Sequence, residues 1–403
     1  MSAFVQPQRQ SRVEWLQLLA LAGLMLAGVL FIYSATHARA SDPMPWHKEL
    51  FIRQMFWCFA GLGLGVVMCL VDYRSLSRWS MVGYWIVIVL LVVVLIPSPF
   101  TTLRGGARRW FDLKVFLLQP SEFAKLAFIF AFGNFLSRPV EELRAPGIFF
   151  KALGLIALPF LLIMKEPDLG SALIFIPTGL MMMLVAGVPR RFLARSIAIV
   201  GVLAALFLVD ILLAPPGWWQ LKLEDYQRHR LLVYFGKDFA PPNASPEEKV
   251  RAQRLQLEKS YQGRQALISV GSGGWTGKGW CNGDQTSLGF LPPGAAHTDF
   301  IFSVIAEEKG FMGSVIVIAL YSVVLFTGIR IAGQARDRLG KLLAVGVVTL
   351  LFSHVFINIG MNIRLMPVTG VPLPLLSYGG SSVLCSLIAI GILQNVNLYR
   401  RSY

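Results

Sequence analysis

Apolar residues along this chain gather into ten long runs separated by polar, often basic, segments. The runs fall at roughly 14–36, 51–71, 80–98, 121–137, 149–164, 168–188, 194–213, 300–331, 340–363 and 376–398. Most approach or exceed the ~18 residues a helix needs to cross a bilayer. The fifth is short, and the eighth is long enough to hold an interfacial helical turn before the true span. The pattern predicts an all-α polytopic membrane protein of about ten transmembrane helices. It reads as a single integral membrane domain over 1–403, with a large extracytoplasmic loop, 214–299, between spans 7 and 8. Ala38-Arg39-Ala40 after the first run resembles a signal-peptidase site. The length of that run and the many spans after it favour a retained first span.

The polar connectors orient the helices. One set of short segments carries Arg9 and Arg12; Arg74 and Arg78; Arg138 and Arg144; Arg190 and Arg191; Arg330, Arg336, Arg338 and Lys341; Arg400 and Arg401. Positive charge favours the cytoplasmic side, so both termini are expected inside. The 37–50 and 99–120 loops, the 165–167 turn and the long loop then lie outside. Within the long loop, Pro241 to Lys259 starts with a Pro-Pro-Asn turn and continues as a charged helical stretch. It is expected to be partly helical and to rest on the membrane surface.

Composition agrees with this reading. Of 403 residues, 55% are hydrophobic and only 15% charged, below the usual quarter of a soluble domain. The net charge of +15 fits basic loops beside anionic membrane lipids. No separate basic domain stands out, so no nucleic-acid partner is expected. The four cysteines form neither a disulfide framework nor a metal-ligand spacing.

Against that background the polar residues near the outer ends of the spans are the candidates for chemistry. Arg104, Arg108, Arg109 and Lys114 sit in the outer 99–120 loop, which also carries Trp110, and depart from the positive-inside trend. Arginines beside an aromatic suit a pyrophosphate or lipid headgroup, or a solvated loop anchored by its tryptophan. Lys125, at the start of the fourth span, needs an anionic partner, and Glu122 at i−3 can supply it. Glu166-Pro167-Asp168 joins two spans; its acids suit a helix cap, an ion pair with the cations, or a divalent ion. His354, Asn358 and Asn362 recur at i, i+4 and i+8, a polar stripe on one helix face that suits interhelical bonding or a wet cavity.

Pro367 to Pro374, followed by Ser377 to Ser382, interrupts an apolar stretch and suggests a re-entrant segment beside a cavity. Gly271 to Gly279 fails the Walker A pattern, because Ser272 and Gly279 stand where it needs Gly and Ser/Thr. A flexible turn with Lys278 near a headgroup is the better reading. Asp299, after His297 and Thr298, stands just before an apolar run. It suits either a helix cap or a general base at the membrane surface.

Taken together, these segments resemble the SEDS family of cell-wall polymerases, which includes RodA, FtsW and SpoVE. The matching stretches are Gly106 to Trp110, Gln119 to Lys125, Glu166 to Ser171, Tyr261-Gln262 with Gln265, Gly271 to Gly279, His297 to Phe302, and Pro367 to Ser382. They run in family order over nearly the whole chain, and the last is closer to the RodA branch. The resemblance implies a ten-span peptidoglycan glycosyltransferase of the bacterial inner membrane, polymerising lipid II at the outer leaflet. It implies a class B penicillin-binding protein as partner, with MreC and MreD of the elongation machinery.

Asp299 falls on the family's essential acid. Arg109 matches the motif arginine before tryptophan, and Lys125 the motif lysine. The candidate site is Asp299 as catalytic group, with Arg108, Arg109, Lys125, Glu122, Glu166, Lys278, His297 and Ser377 around the substrate. A divalent cation, Mg or Mn, could assist, with no ligands assigned. Phe290 to His297 lacks the glutamate expected before His-Thr-Asp and is slightly longer. Arg364 stands where a small residue is expected. A lipid flippase and a non-catalytic scaffold are the competing readings. Asp299 at the outer face favours chemistry over transport, since a carrier needs access from both faces.

Overall fold

The structure, a computed structural model, describes residues 13–37, 49–104, 107–114, 116–213, 225–237, 239 and 245–399. The first half runs α1 (Trp15–His37), α2 (Leu50–Leu70), α3 (Tyr73–Arg78), α4 (Ser80–Leu95), then strands β1 (Thr101–Arg104), β2 (Ala107–Asp112) and β3 (Leu117–Leu118). It continues with α5 (Pro120–Leu136), α6 (Val140–Leu143), α7 (Pro146–Lys165), α8 (Leu169–Ala186) and α9 (Arg190–Leu213). The second half holds α10 (Asp225–Phe235), α11 (Pro246–Ser272), α12 (Asp284–Ser287), α13 (Pro293–Ala296), α14 (Ile301–Gln334), α15 (Arg338–Asn362) and α16 (Gly380–Tyr399).

Each of the ten predicted spans corresponds to one of the long helices α1, α2, α4, α5, α7, α8, α9, α14, α15 and α16. Eight are long and apolar enough to cross a membrane. The other two, α4 and α5, have 16 and 17 residues. The chain is a mostly helical, polytopic membrane protein.

Two local features depart from the expected pattern. The 99–120 segment is a three-stranded antiparallel sheet in the order β1-β2-β3, not a loop. Thr101 pairs with Phe111 and Arg104 with Ala107, and β3 adds Leu118 opposite Phe111. In the sequence, Gly-Gly between two short runs is a hairpin signal, masked by the charge of the segment; Gly105 and Gly106 themselves lie outside the described residues. The second feature is a break in α14 at Gly310, with φ 63° and ψ −158°. The long eighth run therefore is a short helix followed by a span, as its length suggests. Only glycine takes this backbone without strain.

The core of the bundle is α16, buried along most of its length. It packs on α2 and α15, and α15 packs in turn on α8 and α14. Small residues permit the approach, as in membrane helix pairs generally. A methyl at Gly391 would stand 2.6 Å from the carbonyl oxygen of Gly65. At the end of the bundle away from the sheet, Asn395 donates to Val71 O at 2.6 Å and accepts from Tyr73 N at 3.2 Å. Asp337 there accepts from the Tyr73 hydroxyl and pairs with Arg74 at 3.4 Å. The long loop is partly helical, as expected, and its α11 lies against α14.

Gly391→Val replaces an open contact with a clash against backbone. We expect it to destabilise the purified protein by about 1–3 kcal/mol, read as a lower thermal midpoint in detergent.

Candidate active site

Asp299 is presented by a turn immediately before α14. That helix begins after Phe300, which occupies its N-cap position, so Asp299 lies one residue outside the cap. The polar stripe of α15 explains why the turn stays in place. Asn358 Nδ2 donates to the carbonyl of Asp299 at 3.0 Å, and Asn362 Nδ2 does so at 3.1 Å. Asn358 Nδ2 also donates to Val371 O at 2.7 Å, and Ser303 Oγ donates to Asn362 Oδ1. The asparagines therefore bridge helices, and what they bridge is the Asp299 turn to the 367–378 segment.

His297 and Ser377 belong to the same joint. Ser377 Oγ donates to Thr298 O and accepts from Leu373 N at 2.8 Å. Tyr378 N donates to His297 O at 2.9 Å, and the His297 ring meets the Tyr378 ring edge-on at 5.7 Å. Gln54 of α2 donates to Ser377 O at 3.1 Å. Val371, Leu373, Leu375 and Leu376 are buried, so the non-helical backbone of this segment is enclosed by protein, as an apolar surrounding requires.

The Asp299 side chain is half-buried, and a methyl placed on Gly370 would stand 3.6 Å from its Oδ2. Desolvation raises its pKa to about 6; Arg230 opposes the rise, Asp168 adds to it, and Arg109 opposes it. These four charged groups thus share one electrostatic neighbourhood.

Arg109 reaches it from β2. Its Nε donates to Glu166 O at 2.9 Å and its Nη2 to Pro167 O, so it clamps the α7–α8 turn by its backbone. Asp168 caps α8, accepting from Ser171 N at 3.1 Å, and also accepts from Gln119 Nε2 at 3.2 Å. The Glu166 carboxyl is buried, and neither oxygen has a hydrogen-bond partner in the protein. Burial first, then repulsion by Asp168, push its pKa up to about 9, against the pull of Arg109. At neutral pH it is a protonated acid, and a neutral carboxyl suits this dry position. Arg108, half-buried on β2, reaches Thr101 Oγ1 at 3.4 Å.

Lys125 is enclosed. Its Nζ pairs with Glu122 Oε1 at 2.6 Å, the i,i+3 pair expected, and meets His354 Nε2 at 2.9 Å. An ammonium only donates, so Nε2 accepts and Nδ1 carries the proton toward Pro372 O at 3.3 Å. All three side chains are buried. Lys125 thus braces α5 against α15 and the 367–378 segment.

Lys278 is likewise engaged by protein. Its Nζ pairs with Glu307 at 2.7 Å and Asp284 at 2.9 Å. The glycine-rich segment around it is a clasp rather than a flexible turn. Lys278 N and Gly279 N donate to Glu307 O and Glu308 O, each at 3.0 Å, while Phe311 N and Met312 N donate to Gly274 O and Trp275 O. The break at Gly310 strips these groups of their helical partners, and the clasp replaces them. Glu307 is fully buried and also accepts from Ser269 Oγ at 2.9 Å and Gln285 N at 3.1 Å. Glu307 and Glu308 were legible as two adjacent acids inside an apolar run.

Among the described residues no group of three or more His, Cys, Asp or Glu could hold a metal ion.

The family described as "Cell cycle protein", FtsW/RodA/SpoVE, matches residues 14–402. The chain belongs to the FtsW/RodA/SpoVE family. It is 35% identical to the peptidoglycan glycosyltransferase MrdB of Escherichia coli (strain K12), over 95% of this chain and 93% of that one. It is 30% identical to the peptidoglycan glycosyltransferase RodA of Treponema pallidum (strain Nichols), over 96% and 98%. It also shares its fold with a chain of a solved peptidoglycan synthase complex, with TM-score 0.73, 27% identity, and coverage of 97% and 99%.

Within this FtsW/RodA/SpoVE member, the altered segment before His297 has a definite structure. Pro293–Ala296 forms one helical turn, Ala296 N donates to Pro292 O at 3.0 Å, and Phe300 N donates to Ala295 O at 3.0 Å. The turn holds Asp299 without the missing glutamate.

The charges around Asp299 give a prediction. Asp168→Asn keeps a capable N-cap but removes a like charge. The Asp299 pKa then falls, and the acid limb of an Asp299-dependent activity, expected near pH 6, moves to lower pH. A pH–rate profile of the purified variant checks this. A limb displaced upward contradicts the assignment.

Proposed function

We propose that this chain is a peptidoglycan polymerase that transfers glycan from undecaprenyl-pyrophosphate-linked lipid II to the 4-hydroxyl of an acceptor sugar during cell elongation. One observation carries the reading: a partly exposed carboxyl with pKa near 6, fixed through its own carbonyl by two asparagines, with arginines acting on it.

Asp299 is the general base. It takes the acceptor's hydroxyl proton as the acceptor oxygen bonds to the anomeric carbon and the bond to the pyrophosphate oxygen breaks, with inversion. A base whose pKa lies just below the working pH is ionised yet strong. Arg108 and Arg230 are the cations suited to the departing pyrophosphate. Arg109, Lys125 and Glu122 fix the framework around the site through their contacts with protein groups. Glu166 lies beneath the site as a neutral acid, and His297, Ser377 and Lys278 hold the segments that carry it.

The basic connectors lie at the opposite end of the bundle from Asp299. The positive-inside trend then supports cytoplasmic termini in the inner membrane and a site facing the periplasm or cell exterior. Likeness to a chain of a peptidoglycan synthase complex supports a class B penicillin-binding protein as partner. MreC and MreD would join it through the elongation machinery.

Purified protein supplied with lipid II tests the proposal. Asp299→Asn should slow glycan polymerisation by roughly 10²–10⁴-fold, the range of a lost general base. Undiminished polymer from the variant would sink the assignment. Lipid movement across liposomes without glycan product would favour a flippase.

A further inference from the structure

The α7–α8 turn holds a buried acid left unmet by the protein around it. Glu166 is fully buried, and among the described residues neither carboxyl oxygen has a hydrogen-bond partner. The guanidinium beside it is engaged elsewhere. Arg109 acts electrostatically on the carboxyl, yet its Nε donates to the backbone oxygen of Glu166 at 2.9 Å and its Nη2 to that of Pro167. A carboxylate accepts stronger, charge-assisted hydrogen bonds from a guanidinium than a neutral carbonyl does. A guanidinium that stays on carbonyls beside an unmet carboxyl is the arrangement of a neutral acid. An unpaired carboxylate buried in this position would be far more costly.

The surrounding elements favour that state. Asp168, buried at the start of α8, repels an ionised Glu166, and Arg109 of β2 attracts it. On the same strand, Arg108 reaches Thr101 and Asp112 accepts from Lys114 N. On α7 itself, Lys165 is exposed. On α5, which packs on α7 and α8, Glu122 pairs with Lys125, and Lys125 meets His354 of α15. Neither α4 nor the 367–378 segment carries a charged side chain. Burial first, then Asp168, push the Glu166 pKa up to about 9, against Arg109. The proton therefore stays at neutral pH and leaves under mild alkali. Once it leaves, the carboxylate is a stronger acceptor than either carbonyl beside the same guanidinium. Asp168 and Arg109 both act on Asp299, as does Arg230, so a shift in this turn reaches the candidate base.

We propose that Glu166 is a positioning residue that works through Arg109. As a neutral acid it leaves the guanidinium on the two carbonyls of the α7–α8 turn. On losing its proton to solvent it draws the guanidinium onto its own carboxylate and loosens the turn beside Asp299. The proposal rests on the transferase reading for its effect on rate, and not for the charge state of Glu166.

Glu166→Gln in the full-length protein in detergent tests this, because the amide is neutral at every pH and close to the acid in shape. The first readout is polymerisation of lipid II against pH, with each protein scaled to its own maximum. Loss of one proton with this pKa should lower the parent's rate about tenfold between about pH 8 and about pH 10, and the variant's less than about twofold. The second readout is the thermal midpoint. Between about pH 5 and about pH 9, Glu166 is neutral in the folded protein and ionised in the unfolded chain, so rising pH destabilises the parent through this residue. The midpoint of the variant relative to the parent should rise across that interval and level off above it. An alkaline limb of equal depth in both proteins would overturn the proposal, as would a variant that makes no polymer at any pH while the parent does. So would a midpoint difference that does not change with pH. If the parent itself makes no polymer, the transferase reading fails, and the midpoint difference decides the charge state of Glu166.

Discussion

Two asparagine amides holding one backbone carbonyl are the contact on which the site depends. A carboxylate cannot be aimed from a loose turn, and a turn inside an apolar bundle cannot leave its carbonyls unmet. Asn358 and Asn362 answer both constraints at Asp299. Because Asn358 also holds Val371, the acid and the non-helical 367–378 segment are fixed by the same helix face.

The same requirement recurs wherever the helices are interrupted. At Gly310 the broken ladder of α14 is completed by the glycine-rich segment, which uses its backbone as a clasp. At the α7–α8 turn the carbonyls of Glu166 and Pro167 are met by the Arg109 guanidinium. Lys125, Glu122 and His354 form a buried polar triad beside Pro372. Burying an ion pair is weak support for stability in itself, so its value here is to fix α5 against α15. Geometry is thus fixed largely by polar groups spent on the protein itself, while the Asp299 side chain stays partly exposed.

Much of this was legible in the sequence. Long apolar runs located the ten helices because membrane spans need length and apolarity more than any fine pattern. Asp299, Glu122 with Lys125, and the asparagine stripe stood out because polar groups in such runs need partners. The 101–118 sheet was hidden by its charge, although Gly105-Gly106 marked the hairpin. The duties of Arg109 and Lys278 were hidden for a different reason: a cation's partner is set by tertiary packing, and both bind protein groups distant in sequence. The left-handed backbone at Arg364, with φ 58°, could be suspected only because a small residue was expected there.

Asn358 and Asn362 hold Asp299 by its backbone carbonyl, whereas burial, Arg230, Asp168 and Arg109 set its acidity. Polymerisation by Asn358→Leu, measured against pH, tests this division most directly. The account predicts a large loss of rate at every pH, with the acid limb still near pH 6. Full activity in a folded variant, or an unchanged maximal rate with a displaced limb, would contradict it.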